Sequence, residues 1–290
     1  MTLTEGRVTA GDVEFAYLEA GSGPLALCLH GFPDSAWTWR HLLPALAEHG
    51  FRAVAPFMRG YAPTAIPADG RYQTAALGLD ACALHEALGG DGDAAIIGHD
   101  WGAMAAYIAA NHEPERWRRV VTMAVPPAGA VASGFMSYAQ LKRSWYMFFF
   151  QHALSDVVVG MGDLAFIDGL WADWSPGYDA TEDLPLVKDA LRDPANLAAA
   201  LGYYRATLGN VGVDPALDAV QAKGAEVPSQ STLYLHGRDD GCMGIEVAEA
   251  ARALLTSNGS RMAVVDDAGH FLQLEQPELV NGLVAQFLAG

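Results

Sequence analysis

The segment Gly98-His99-Asp100-Trp101-Gly102 sets one carboxylate inside otherwise apolar sequence. Before it, Ala94-Ala95-Ile96-Ile97 has the composition of a short buried strand. After it, Ala103-Met104-Ala105-Ala106-Tyr107-Ile108-Ala109-Ala110 has that of a buried helix. A lone charge at such a junction is costly unless something pairs with it. The flanking glycines indicate a sharp backbone turn. Small-x-acid-x-small between strand and helix has the form of a nucleophile elbow, with Asp at the tip where Ser is usual. An Asp nucleophile attacks carbon and forms an ester. The competing role for Asp100 is a helix N-cap, against which the apolar surroundings and paired glycines weigh.

The chain has 290 residues, 51% of them apolar, which is enough for one large domain with a smaller insertion. It carries 17 basic and 34 acidic residues, a formal charge of −17, and no run of five or more basic residues. This argues against nucleic acid and anionic membranes as partners; solubility is the plainer reading of the acidity. The three cysteines, Cys28, Cys82 and Cys242, are too few and too widely spaced for a disulfide framework or a zinc site. Cys28 and Cys82 lie in apolar patterns that read as core, and Cys242 lies in a loop, with packing as its expected role. The sequence opens without a basic-then-apolar signal segment, and no apolar run reaches the length of a membrane span. A soluble cytoplasmic protein is expected.

The first third alternates strand and helix patterns. Strands are predicted around Val13–Tyr17, at Leu25–Leu29, Phe51–Ala55, Ala94–Ile97 and Val120–Ala124, with helices over Ser35–Glu48, Thr74–Leu88 and the segment after Asp100. Continuous apolar strands alternating with helices imply a mainly parallel sheet covered on both faces. After Pro126-Pro127 the pattern changes. Residues 128–223 show no clear buried strand, only helical segments at Tyr138–Gln151, Leu186–Arg192 and Asn196–Leu208. Alternation resumes with a strand at Ser231–Leu235, a helix at Ile245–Leu255, a strand at Met262–Val265 and a helix at Glu278–Leu288. The expected organisation is an α/β core (1–127 and 224–290) interrupted by a helical cap (128–223).

An Asp nucleophile needs an oxyanion hole, a base to activate water and a group that orients the base. The base candidate is His270, after the strand ending at Val265; the orienting acid is Asp240, after the strand ending at Leu235, with neighbouring Asp239 as the alternative. Both strands then deliver their residues to the carboxyl edge of the sheet, where ligand sites of open α/β sheets lie. The order nucleophile, acid, His is that of α/β-hydrolases. The oxyanion hole calls for the backbone N–H of Trp101, directly after the nucleophile, and of Phe32 in the loop His30-Gly31-Phe32-Pro33. Phe32 and Trp101 are also candidate walls of the substrate pocket, and His99 a support for the elbow.

On these residues the chain resembles the α/β-hydrolase superfamily and, within it, the epoxide hydrolases. The resemblance rests on the His-Gly-aromatic-Pro loop at 30–33, on Gly-His-Asp-Trp-Gly at 98–102, and on Gly-His-Phe at 269–271 followed by Glu275-Gln276-Pro277. It implies a mostly parallel eight-stranded sheet flanked by helices, a cap inserted after the sixth strand, and a cis Phe32–Pro33 bond. It further implies two cap tyrosines that donate hydrogen bonds to an epoxide oxygen. These fall on Tyr146, in Trp145-Tyr146 upstream of Phe148-Phe149-Phe150-Gln151, and on Tyr204, in Tyr203-Tyr204-Arg205. The chain departs from the family where Asp-x-Arg-Gly-aromatic-Gly is frequent: Phe57 replaces the Asp and Ala62 the second Gly.

The reaction implied is conversion of a small apolar epoxide and water to a vicinal diol through an ester on Asp100. It uses no metal and no cofactor, and a homodimer is left open. The nearest rival is a haloalkane or haloacid dehalogenase built on the same Asp-His-Asp set. Against it, position 32 is Phe rather than a halide-binding Asn, Trp101 stands where a carboxylate-binding Arg would be needed, and the two tyrosines go unexplained. A non-catalytic ligand-binding homologue is the rival of another class, but every expected catalytic position is filled. A Ser esterase is disfavoured because no Gly-x-Ser-x-Gly occurs.

Overall fold

The computed structural model describes residues 2–256 and 259–290. Eight strands form one sheet: β1 (Thr4–Ala10), β2 (Val13–Gly21), β3 (Leu25–Leu29), β4 (Arg52–Pro56), β5 (Ala94–His99), β6 (Trp117–Met123), β7 (Ser231–Gly237) and β8 (Arg261–Val265). Their order is β1-β2-β4-β3-β5-β6-β7-β8, with β1 and β2 antiparallel and every pairing from β4 to β8 parallel. The all-apolar strands sit where the composition demands: β3 and β5 are buried along their whole length and pair with each other at the centre. This is the α/β-hydrolase fold.

Strand β1 escapes the apolar-periodicity reading because it is a largely exposed edge strand, Thr-Glu-Gly-Arg-Val-Thr-Ala, held by pairing with β2 rather than by burial. Several predicted helices are broken. Ser35–Glu48 resolves into a 3-10 turn (Ala36–Trp39) and a helix (Leu42–Glu48). Tyr138–Gln151 becomes Tyr138–Arg143 and Trp145–Phe149, split at Ser144, and Ile245–Leu255 becomes two four-residue helices.

Between β6 and β7 the described residues form only helices and turns. Besides the short turns over residues 215–225, two helical stretches there were not legible. One is Ala128–Gly134, a run of small residues without a stripe. The other is Leu154–Trp174, whose backbone leaves helical geometry at 161–164, beside Gly160 and Gly162. The second stretch ties the insertion to the sheet edge. Trp171 stacks on Phe271 with centroids 3.7 Å apart and donates its indole N–H to the Pro33 carbonyl at 2.8 Å. The Phe32–Pro33 bond is cis, as is Ala62–Pro63.

The divergent loop after β4 is held by a buried guanidinium. Arg59 donates to Asp80 at 2.7 Å and to the Arg71 carbonyl at 2.6 Å, and its own carbonyl accepts from the Tyr203 hydroxyl at 2.8 Å. Removing one partner of a buried ion pair leaves an uncompensated charge. Arg59→Met is therefore expected to destabilise the fold by about 3 kcal/mol, the low end for breaking a buried pair, read from the urea unfolding midpoint; an unchanged midpoint contradicts this role.

Candidate active site

Strand β5 ends at His99, the helix Trp101–His112 begins two residues later, and Asp100 alone makes the turn with φ 54° and ψ −118°. A non-glycine residue held in that region carries backbone strain. The glycines let the elbow lie against its neighbours. A Cβ on Gly102 would stand 2.1 Å from the Leu29 carbonyl oxygen, and one on Gly31 would stand 2.2 Å from Asp100 Oδ1. Gly31 is therefore the residue that makes room for the carboxylate. The Asp100 side chain does not cap its helix. Its Oδ1 instead accepts the Phe32 N–H at 2.8 Å.

Burial pushes the Asp100 carboxyl upward, while His270 and the Phe32 and Trp101 amides oppose that rise. The His270 Nε2 stands 3.8 Å from Asp100 Oδ2, and its Nδ1 faces Asp240 Oδ2 at 3.0 Å. Asp240 Oδ1 accepts the Cys242 and Met243 amides at 2.7 and 2.8 Å. Both oxygens of Asp240 are thus occupied, so its orientation is fixed and Nδ1 of His270 carries the shared proton. Asp239, the alternative acid, is exposed. Burial alone would lower the His270 pKa; Asp240, Asp100 and Glu275 outweigh it and leave the ring above its ordinary value of 6.5.

The insertion holds this pair by backbone. The Trp174 carbonyl accepts the N–H of His270 and that of Gly241, each at 3.0 Å. Ser175 accepts the Phe271 N–H at 3.2 Å and donates to Glu275, which in turn accepts the Gly269 N–H at 2.8 Å. His99 bonds the His270 carbonyl through Nε2 at 2.9 Å. Trp174 and Ser175 were not legible, because a carbonyl or small hydroxyl leaves no pattern. The signal for Glu275 was its place just after Gly-His-Phe.

A cavity of about 250 Å³ opens beside Asp100, with Trp101, Met104, Phe135, Tyr146, Tyr204 and Cys242 in its walls. Tyr146 and Tyr204 are almost wholly buried, with ring centroids 5.6 Å apart. Burial lifts both hydroxyls well above the ordinary 10.0, so each keeps its proton. The Tyr204 hydroxyl is buried, with the Trp101 and Tyr146 side chains as its polar neighbours. Phe32 differs from its expected place as a pocket wall. Its ring is fully buried, packed edge-on against Tyr204 and Phe150 at 5.3 and 5.6 Å, and it does not line the cavity. Asp240, Cys242 and His270 form the one group of potential metal ligands among the described residues, within 4.8 Å of one another, but the hydrogen bond between His270 and Asp240 already occupies it.

Residues 24–157 match the family of the alpha/beta hydrolase fold. Epoxide hydrolase 4 of Mus musculus is 30% identical over 97% of this chain and 78% of its own length. The chain belongs to the epoxide hydrolase family. Among solved structures, epoxide hydrolase A of Mycobacterium thermoresistibile superposes with a TM-score of 0.80 at 26% identity, covering 100% of this chain and 99% of that one. An epoxide hydrolase from an endophytic Streptomyces gives 0.80 at 27%, covering 99% and 96%. No helix among the described residues of this family member is long and apolar enough to cross a membrane.

Two outcomes follow from the geometry. Gly31→Ala should displace the Asp100 carboxylate and slow turnover about a hundredfold, the usual cost of an ångström-scale misplacement, with circular dichroism unchanged; wild-type turnover would contradict the packing. Asp100→Asn removes a negative charge that favours the imidazolium, so the His270 ring should titrate at lower pH, followed by NMR. An unchanged or higher midpoint would show that Asp100 does not influence the base.

Proposed function

We propose that this protein hydrolyses a small apolar epoxide to a vicinal diol through a covalent ester on Asp100. The observation that carries the reading is the convergence of a buried carboxylate and two buried, protonated tyrosine hydroxyls on one cavity. Oδ1 of Asp100 rests on the Phe32 amide, which leaves Oδ2 to attack a ring carbon opposite the breaking C–O bond. The departing oxygen becomes an alkoxide and takes a proton or hydrogen bond from Tyr146 and Tyr204. The ester carbonyl oxygen is then Oδ1, already seated on the amide where the oxyanion forms in the second step. His270 Nε2 removes a proton from water, and the hydroxide adds to the Asp100 carboxyl carbon. Collapse of that adduct restores Asp100 and releases the diol, and the proton taken up by His270 is returned to the oxygen left without one, on the diol or on the tyrosine.

Esterification also prepares the base. It removes the Asp100 charge, one of the causes that hold the His270 pKa up. The ring therefore becomes easier to deprotonate at the step where it must act as a base. The substrate's apolar substituent is assigned to the apolar lining of the cavity, which includes Met104 and Phe135. A halide leaving group is a poorer fit, since Phe32 supplies no side-chain N–H beside Trp101 and two hydroxyls stand where halide donors would be needed.

His270→Gln incubated with styrene oxide should gain the mass of one epoxide on the peptide containing Asp100. Tyr146→Phe and Tyr204→Phe should each slow formation of that ester about a hundredfold, the scale of general acid assistance. Turnover by Asp100→Ala, or halide release from a haloalkane without epoxide turnover, would overturn the reading.

A further inference from the structure

The two cap hydroxyls are not equivalent. The Tyr146 hydroxyl lies 3.3 Å from the Cys242 Sγ, whereas the Tyr204 hydroxyl has the Trp101 and Tyr146 side chains as its polar neighbours. Cys242 and both tyrosines line the same cavity. We propose that Cys242 is a positioning residue for epoxide opening, whose S–H donates to the Tyr146 oxygen and thereby aims the Tyr146 proton at the substrate. The inference rests on the epoxide reading above.

Two observations and one chemical requirement support it. First, Cys242 is clamped through its backbone on both sides. Its N–H donates to Asp240 at 2.7 Å, and its carbonyl accepts from Gln140 Nε2 at 2.8 Å. Gln140 lies in the helix just before Tyr146, and its Oε1 also accepts the Gly244 N–H at 2.9 Å. One buried amide side chain thus fixes the thiol loop against the segment that carries Tyr146.

Second, the thiol keeps its proton. Burial and the neighbouring Asp240 and Asp100 carboxylates raise it well above its ordinary 9.0, against a smaller opposing effect of the Tyr146 hydroxyl. A neutral S–H is a weak donor, and it does not compete with Asp100 as a nucleophile for the epoxide. Third, the direction of the bond matters. A hydroxyl carries one proton. If Tyr146 donated to sulfur, that proton would be withheld from the alkoxide; if sulfur donates, the proton points into the cavity and the phenolic oxygen is better able to release it.

The test is a pair of variants read by single-turnover kinetics with styrene oxide, in wild-type and Tyr146→Phe backgrounds. Cys242→Ala is expected to slow ester formation about fivefold, the scale of one lost hydrogen bond, and to leave ester hydrolysis by His270 unchanged. Cys242→Ser, which keeps a donor, should restore most of the rate. In the Tyr146→Phe background, where the coupled proton is gone, Cys242→Ala should have no further effect. Equal losses in both backgrounds, equal losses for Ala and Ser, or no loss at all would overturn the positioning role while leaving the epoxide reading intact. Absence of epoxide turnover by the wild-type enzyme would overturn both.

Discussion

A buried carboxylate at a strained turn is the constraint on which the rest of this structure depends. Asp100 sits in an apolar junction where an unpaired charge would be prohibitive. Everything that makes it tolerable also makes it reactive in the proposed chemistry. The Phe32 amide that stabilises Oδ1 is the donor that an oxyanion needs. The imidazole that offsets the charge is the base that a water needs. Gly31 and Gly102 have no side chains because the carboxylate and the neighbouring strand occupy that space. Stability of the ground state and competence for the reaction are therefore met by the same atoms.

The helical insertion between β6 and β7 does more than line the cavity. Its long helical stretch ends in one carbonyl, at Trp174, that holds the backbone of both His270 and the loop after Asp240. Trp171 packs on Phe271 and reaches the cis-proline loop that carries the Phe32 amide. Gln140 bridges the segment before Tyr146 to the loop of the orienting acid. The insertion between β6 and β7 and the sheet are thus joined at the points where Asp100, Asp240 and His270 come together, so movement of the insertion would disturb these residues as well as the cavity.

Much of this was legible in the sequence for a definite reason. A nucleophile elbow needs small residues beside one reactive side chain, and strands buried on both faces need unbroken apolar runs. Asp100 and the central strands announce themselves in this way, while His270 and Asp240 are read from their places after the strands ending at Val265 and Leu235. The edge strand Thr4–Ala10 does not, because solvent covers most of it. The broken helices read as continuous because apolar spacing persists across Ser144 and across Arg40–His41, while the backbone does not. The sequence names Asp240 with Asp239 as its alternative, because adjacent acids in a turn are alike by type; in the structure Asp240 faces the imidazole. The contact between Cys242 and Tyr146 spans 96 residues of sequence and depends on where the cap lands, so a packing role was all that spacing supported.

The central claim is that carbon is attacked by Asp100 and not by water. A single turnover with excess enzyme and styrene oxide in oxygen-18 water tests it most directly. Attack by Asp100 predicts a first diol whose new oxygen comes from the carboxylate and is unlabelled, with label appearing in later turnovers as water replenishes Asp100. A diol fully labelled in the first turnover would contradict the covalent route and the role assigned to Asp100.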